Sequence, residues 1–373
     1  MPRTGVAHLP LHYGAAPPWL FQRMTQLARQ LTLVLVEEFG PQEVLQRLSD
    51  PFWFQAFGCA LGFDWHSSGL TTTVCGALKE GLRDLGADTG LYVAGGKGKT
   101  SRRTPQELLA LGDRLGLDPA PLIYSSRMAA KVDSAALQDG YQIYHHTFVF
   151  TPAASGQTRH WRARPGESAS GAWCVIQQGM NPDTRWARRY HWLSTTVEDF
   201  VCEPHHAICC DERGEVLNMV AREAEGAREV SARVAGEQPE SVVGKLERLQ
   251  QLDLPHRHHV LLSDVNPSRL KKILLKTYEG QPQGFEALLG TEGVGLKTVR
   301  ALALVSELVY GAPASFRDPV RYSYAHGGKD GHPYPVDRAT YDRTVETLRA
   351  ALTRARLGQR DRLEALRRLA AFG

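Results

Sequence analysis

The sequence has no apolar run near the length of a membrane span, which takes about 20 residues. A membrane protein of the helical kind is therefore not expected. The N-terminus, MPRTGVAHLPLHYG, has no apolar stretch of the secretory kind, so no signal peptide is expected either. Six cysteines stand at 59, 75, 174, 202, 209 and 210, with no Cys-x-x-Cys pair and none beyond Cys210. A cytoplasmic protein with reduced thiols is the plain reading. Internal repeats and low-complexity tracts are missing too. Charge of one sign is scarce: 44 Lys and Arg against 40 Asp and Glu leave +4. Net charge alone gives no argument for nucleic acid.

What charge there is lies in patches. Residues 341–373 hold eight Arg and four acids, which equals the whole excess. Gly95 to Arg103 holds Lys97, Lys99, Arg102 and Arg103 with no acid. Local basic surface is what tracking a phosphate backbone requires. The length of 373 residues suits two or three domains, and 42% apolar residues suffice for real cores.

Residues 20–39 repeat apolar side chains at helical spacing, followed by a Gly40-Pro41 stop and a short helix to Leu48. The aromatic-dense 50–69 stretch reads as core, with Trp65 to Ser68 as a polar loop, and 71–86 as a helix. Leu91 to Val93 suggests a strand, Gly95 to Arg103 a Gly-rich basic loop, and Thr104-Pro105 a helix start. That order cradles phosphate. It lacks the first Gly of a Walker A loop, so DNA or RNA fits better than ATP. Leu122 to Tyr124 reads as a strand, and 141–150 alternates as a strand that sends His145 and His146 to opposite faces. Trp173 to Ile176 is a further strand. Gln177, Gln178 and Asn181 are expected to leave it, and amides at a strand end suit reading of an extruded base. Arg185, Arg188 and Arg189 interleave with Trp186, Tyr190 and Trp192, a mixture that suits a groove for nucleic acid. Cys202, His205, His206, Cys209 and Cys210 are too compact for four zinc ligands, so no metal is expected there. His256, His258 and His259 sit in a polar link.

The most informative stretch is FEALLGTEGVGLKTVRALALVSELVYG, residues 285–311. Phe285, Leu288 and Leu289 share a helical face. Gly290, Gly293 and Gly295 then mark a turn that something must approach closely. Apolar residues from Leu296 to Val309 form a second face, ended by Gly311 and Pro313. This pattern resembles the helix-hairpin-helix motif of DNA repair proteins. Gly293-Val294-Gly295-Leu296-Lys297-Thr298, followed by Asp318, further resembles the DNA glycosylase/lyase superfamily built on that motif. The resemblance implies Lys297 as amine nucleophile and Asp318 as its carboxylate. It implies Gly293, Gly295 and Thr298 as backbone contacts, and a possible monovalent cation at the hairpin, with no other cofactor. Thr291-Glu292 stands where that superfamily usually has Pro, and the Lys–Asp spacing is longer than usual. The superfamily's optional iron–sulfur cluster has no cysteines here. The opening block, and most of the chain with it, also resembles a widespread bacterial and archaeal family of undefined function.

The expectation is an α+β protein. Residues 1–211 form a mixed α/β part with a small, largely antiparallel sheet. Residues 212–373 form an all-helical part with the hairpin at 284–311 and one basic helix, 337–371, packed on it. The expected partner is double-stranded DNA carrying a lesion, in a cytoplasmic, nucleoid-associated protein. The expected activity is removal of a modified base, such as an oxidised pyrimidine, after flipping, with abasic-site lyase action. Lys97, Lys99, Arg102, Arg103, Arg188 and Arg189 would hold the strands. Gln177, Gln178, Asn181 and His145 would read the base. The alternatives are a Mg-dependent nuclease drawing on Asp264, Asp318 and Asp330, and a non-catalytic DNA-binding module.

Overall fold

The spacing of Leu20, Met24, Leu27, Leu31 and Leu35 is realised as the buried face of α1 (Pro18–Phe39). Gly40, at φ +85, ends that helix, and Pro41 opens α2 (Pro41–Ser49). Asp50 then accepts a hydrogen bond from the Trp53 N–H at 2.8 Å and caps α3 (Pro51–Leu61). Every residue of α3 is buried, so the aromatic run is core, as expected. The protein is described here from a computed structural model covering residues 17–63, 69–152, 171–249, 251–252, 267–322, 328–329, 332–333 and 338–372.

The chain is α+β and folds as two compact units. The first comprises Met1–Thr104, Thr147–Ile176 and Tyr322–Gly373. The second comprises Pro105–His146 and Gln177–Arg321. Neither is contiguous, and the boundary expected at 211 falls inside the second. In the first unit α4 (Gly69–Leu82) packs against α1. The approach is close at Gly81, where a Cβ would come within 2.8 Å of the Thr25 carbonyl. The basic C-terminal stretch is two helices, α14 (Arg338–Arg354) and α15 (Gln359–Phe372). They pack on α3, with Arg368 donating to the Ala60 carbonyl at 3.2 Å. The expected docking on the hairpin part is thus corrected: the apolar wall of α3 takes these helices.

The five-stranded sheet runs in the order β1 (Tyr92–Lys97), β3 (Gln142–Thr151), β4 (Ala172–Met180), β5 (Ala187–Leu193), β6 (Ala207–Cys209). Strands β3 and β4 each give residues to both units. β5 and β6 are antiparallel, with Tyr190 opposite Ile208. A two-residue strand β2 (Leu137–Gln138) pairs antiparallel with β7 (Leu217–Asn218). Three local expectations are corrected. Gly95 and Gly96 are not loop but strand, in positive-φ conformations open to glycine. Gln177 and Gln178 continue β4 rather than leaving it, because Gly179 lets the strand press on Tyr141, whose Cβ would lie 2.9 Å from an added one. Leu122 to Tyr124 are helical, in α8 (Ala120–Lys131). A short apolar run does not distinguish the two states, and Pro121 in the first turn favours the helix.

The short α5 (Gly86–Thr89) precedes β1, and α6 (Lys99–Arg102) and α7 (Thr104–Leu115) follow it. The second unit continues α8 into a π-helical turn, Val132–Ala136. Its remaining helices are α9 (Glu225–Ala235), α10 (Pro239–Leu249), α11 (Pro267–Gly280), α12 (Phe285–Gly290) and α13 (Leu296–Tyr310). α13 lies along α9, where Ser306 donates to the Ala227 carbonyl at 3.3 Å. α11 is tied to the end of α9 by Thr277, which donates to the Ala235 carbonyl at 2.7 Å. Among the described residues, no helix is long and apolar enough to cross a membrane.

Candidate nucleic-acid interface

The helix-turn-helix spacing of residues 285–311 is realised as α12, a five-residue turn and α13. Phe285, Leu288, Leu289 and Val294 are buried and seat the motif on the second unit. The Thr291 N–H donates to the Leu288 carbonyl at 3.1 Å, and the Val294 N–H to the Thr291 carbonyl at 3.2 Å. Gly293 turns the chain at φ +90. The first bond of α13 runs from the Val299 N–H to the Gly295 carbonyl, 3.0 Å. The N–H groups of Leu296, Lys297 and Thr298 precede it, and a helix leaves such groups for an outside acceptor. Gly295, the N-cap, contributes no side-chain cap. Its φ of −149 is ordinary extended backbone. A Cβ there would meet only the Gly293 carbonyl oxygen, at 4.0 Å.

Three side chains from earlier in the chain hold this turn. The Lys131 ammonium, at the end of α8, donates to the Val294 carbonyl. The Gln138 side-chain amide donates to the Leu296 carbonyl at 2.9 Å, and Arg300 Nε donates to the Gln138 side-chain Oε1 at 2.7 Å. The Tyr124 hydroxyl donates to Glu286 on α12. Burial, reinforced by Glu286, pushes the Tyr124 phenol up to about 12. These partners are about 160 residues from the turn in sequence, and no local pattern announces them.

Lys297 is exposed in the first turn of α13, and Thr298 is buried. Asp318 lies in a different setting. Its carboxylate takes a fork from Arg188 at 2.8 and 3.2 Å, the Gly214 N–H at 2.9 Å and the Val320 N–H at 3.0 Å. The side chain is 5% exposed. Arg188 also donates to Asp139 at 3.0 Å and lies 4.5 Å over the Tyr141 ring. Asp139 accepts in addition from the Tyr190 hydroxyl at 2.6 Å and the Tyr141 N–H at 3.1 Å. Burial raises the Asp139 carboxyl, against the pull of the Arg188 charge and these hydrogen bonds. Burial alone would lower Arg188, but the charges of Asp139 and Asp318 outweigh it and hold the guanidinium ionised. So Asp318 neutralises a buried arginine. Among the described residues, its hydrogen bonds and ion pair do not include Lys297.

The expected groove is corrected at residues 187–192; Arg185 and Trp186, before the strand, are exposed and half-buried. β5 is buried along its whole length. Alternation sends Arg188 to the cluster just described and Arg189 to the other side, where its Nε donates to His191 Nε2 at 2.8 Å. A guanidinium inside its ion pair has no free face for phosphate. The base-reading group is also occupied. Gln178 donates to the Tyr144 hydroxyl at 2.5 Å, and His145 is fully buried. Asn181 accepts from the Asp183 and Thr184 N–H groups at 2.9 and 3.1 Å, closing its own turn. Gln177 joins a buried chain of hydrogen bonds. It donates to Asp133 and accepts at 2.9 Å from His146 Nδ1, whose Nε2 meets the Ser126 hydroxyl at 2.9 Å. Asp133, on the π-helical turn, also takes Trp192 Nε1 at 3.0 Å and His205 Nε2. No sequence pattern signals this network, whose members come from separate segments of the chain. Burial lowers His146, against its bond to Gln177 and the Asp133 charge.

Lys97, Lys99, Arg102 and Arg103 are exposed at the end of β1 and on α6, around Gly98, where a Cβ would meet nothing within 4 Å. Lys79 steadies this corner by donating to the Gly95 carbonyl at 2.7 Å. His205 and Cys210 of the compact Cys–His segment are engaged with Asp133 and with the Tyr141 hydroxyl, 3.2 Å away. Among the described residues, no three His, Cys, Asp or Glu side chains converge to hold a metal. Asp264, Asp330, Trp65 to Ser68 and His256 to His259 lie outside the described residues.

No curated protein and no solved structure matches the chain. A family model does match, over residues 5–159 and 166–336, and its description is "Protein of unknown function (DUF763)". With most of its length inside that match, the chain belongs to the DUF763 family.

Proposed function

We propose that this protein binds the backbone of double-stranded DNA through the turn between α12 and α13; the basic corner of the first unit, Lys97 to Arg103, is by itself a separate candidate for phosphate contact. The observation that supports this best is Gly295. Neither its backbone angle nor any neighbour within the chain calls for the absence of a side chain. A close-approaching phosphate on the amides that open α13 does call for it. The helix dipole adds to the attraction, and such a contact positions a duplex without reading its sequence. Lys99, Arg102 and Arg103 supply exposed charge with no acid among them.

Base excision by Lys297 ranks behind binding. It needs a carboxylate beside the amine, and Asp318 is committed to Arg188 and two backbone amides. Fluorescence anisotropy with a labelled duplex tests the binding reading. Gly295→Val is expected to weaken affinity about tenfold, the worth of one charge-assisted contact. Equal affinity for wild type and variant, or no binding at all, would remove the proposal. Borohydride trapping on a lesion-bearing duplex separates the readings. A covalent adduct lost in Lys297→Ala would put the lyase first.

A further inference from the structure

The turn carries a fixed positive charge on its inner side. Lys131 ends α8, and its ammonium donates to the Val294 carbonyl. The same peptide unit carries the Gly295 N–H. In a trans peptide the carbonyl and the N–H point in opposite directions, and no cis peptide occurs in the described chain. The Gly295 amide therefore faces away from Lys131. A cation on the carbonyl polarises the peptide and strengthens its N–H as a donor. Lys131 is half-buried, and burial lowers its ammonium. An ammonium in that setting needs an acceptor, and the Val294 carbonyl is one.

We infer that Lys131 is the positioning residue of the hairpin. Its ammonium orients and polarises the Val294–Gly295 peptide toward a phosphate, and makes a bound monovalent metal ion unnecessary. This rests on the backbone-binding reading above. Lys131 does not itself touch DNA. It acts through the peptide between itself and the ligand.

The test uses the full-length protein and a labelled duplex at constant ionic strength. One series contains potassium; the other contains tetramethylammonium, which is too bulky to seat on a carbonyl. Wild type is expected to bind equally in both. Lys131→Met is expected to bind about tenfold more weakly in tetramethylammonium, with part of the loss restored by potassium. Lys131→Arg is expected to keep the wild-type affinity in both. The slope of log affinity against log salt stays unchanged in Lys131→Met, because no phosphate counterion is released through this residue. Should Lys131→Met fail to fold, Lys131→Gln takes its place, keeping a donor without the charge. Wild-type binding that needs potassium overturns the inference, and so does a Lys131→Met protein that binds like wild type. Failure of wild type to bind duplex in either salt overturns the grip itself, a separately visible result.

Discussion

Arg188 shows how far a residue's role departs from its neighbourhood in sequence. Beside Trp186, Tyr190 and Trp192 it reads as part of a groove; folded, it is sealed between Asp139 and Asp318. The sequence displays the charge. It does not display which carboxylates, 49 and 130 residues away, will neutralise it. The partners of Asp318 are hidden for the same reason, since a resemblance in spacing says nothing of what else the carboxylate meets. Removing the guanidinium leaves two buried carboxylates without their counter-charge. Arg188→Ala is expected to cost about 3–5 kcal/mol, read as a lower urea midpoint. Gly295→Ala is the opposite case. Its backbone and surroundings accept a methyl group, so the melting temperature should stay put while duplex affinity falls.

The hairpin itself is legible as an element. Two apolar faces at helical spacing, with glycines between, come out as α12, turn and α13. What periodicity does not settle is the short apolar run at 122–124, or where β4 ends, because both depend on what packs alongside. The link from α8 to α12 has an alkaline signature. The Tyr124 phenol is raised from 10.0 to about 12, chiefly by burial and then by Glu286. A raised folded value means the contribution is whole below pH 10 and is lost as pH rises toward about 12. Tyrosinate absorbance should show a late-titrating phenol that vanishes in Tyr124→Phe. Any stability advantage of wild type over that variant should close over the same interval. An advantage that persists beyond it would show that Tyr124 acts by packing alone.

At the scale of the molecule, the α+β class is readable from the mixture of periods, but the division into units is not. Chain order suggests a cut near 211, whereas the fold gathers residues 322–373 with the N-terminal helices. Pairing between distant segments leaves no trace in composition. Charge does give a prediction here. Replacing Lys99, Arg102 and Arg103 together by Ala should lower the salt slope of duplex binding by roughly three, about one for each lost phosphate contact. An unchanged slope would remove the corner as a phosphate contact. The sealed arginine has one more consequence, for the order of events in a growing polypeptide. While Asp318 is still inside the ribosome, Arg188 has only Asp139 to neutralise it. The second unit therefore completes its core late, by a long-range closure that is slow by nature. A nascent chain stopped short of 318 should be markedly more open to protease than one released just past it.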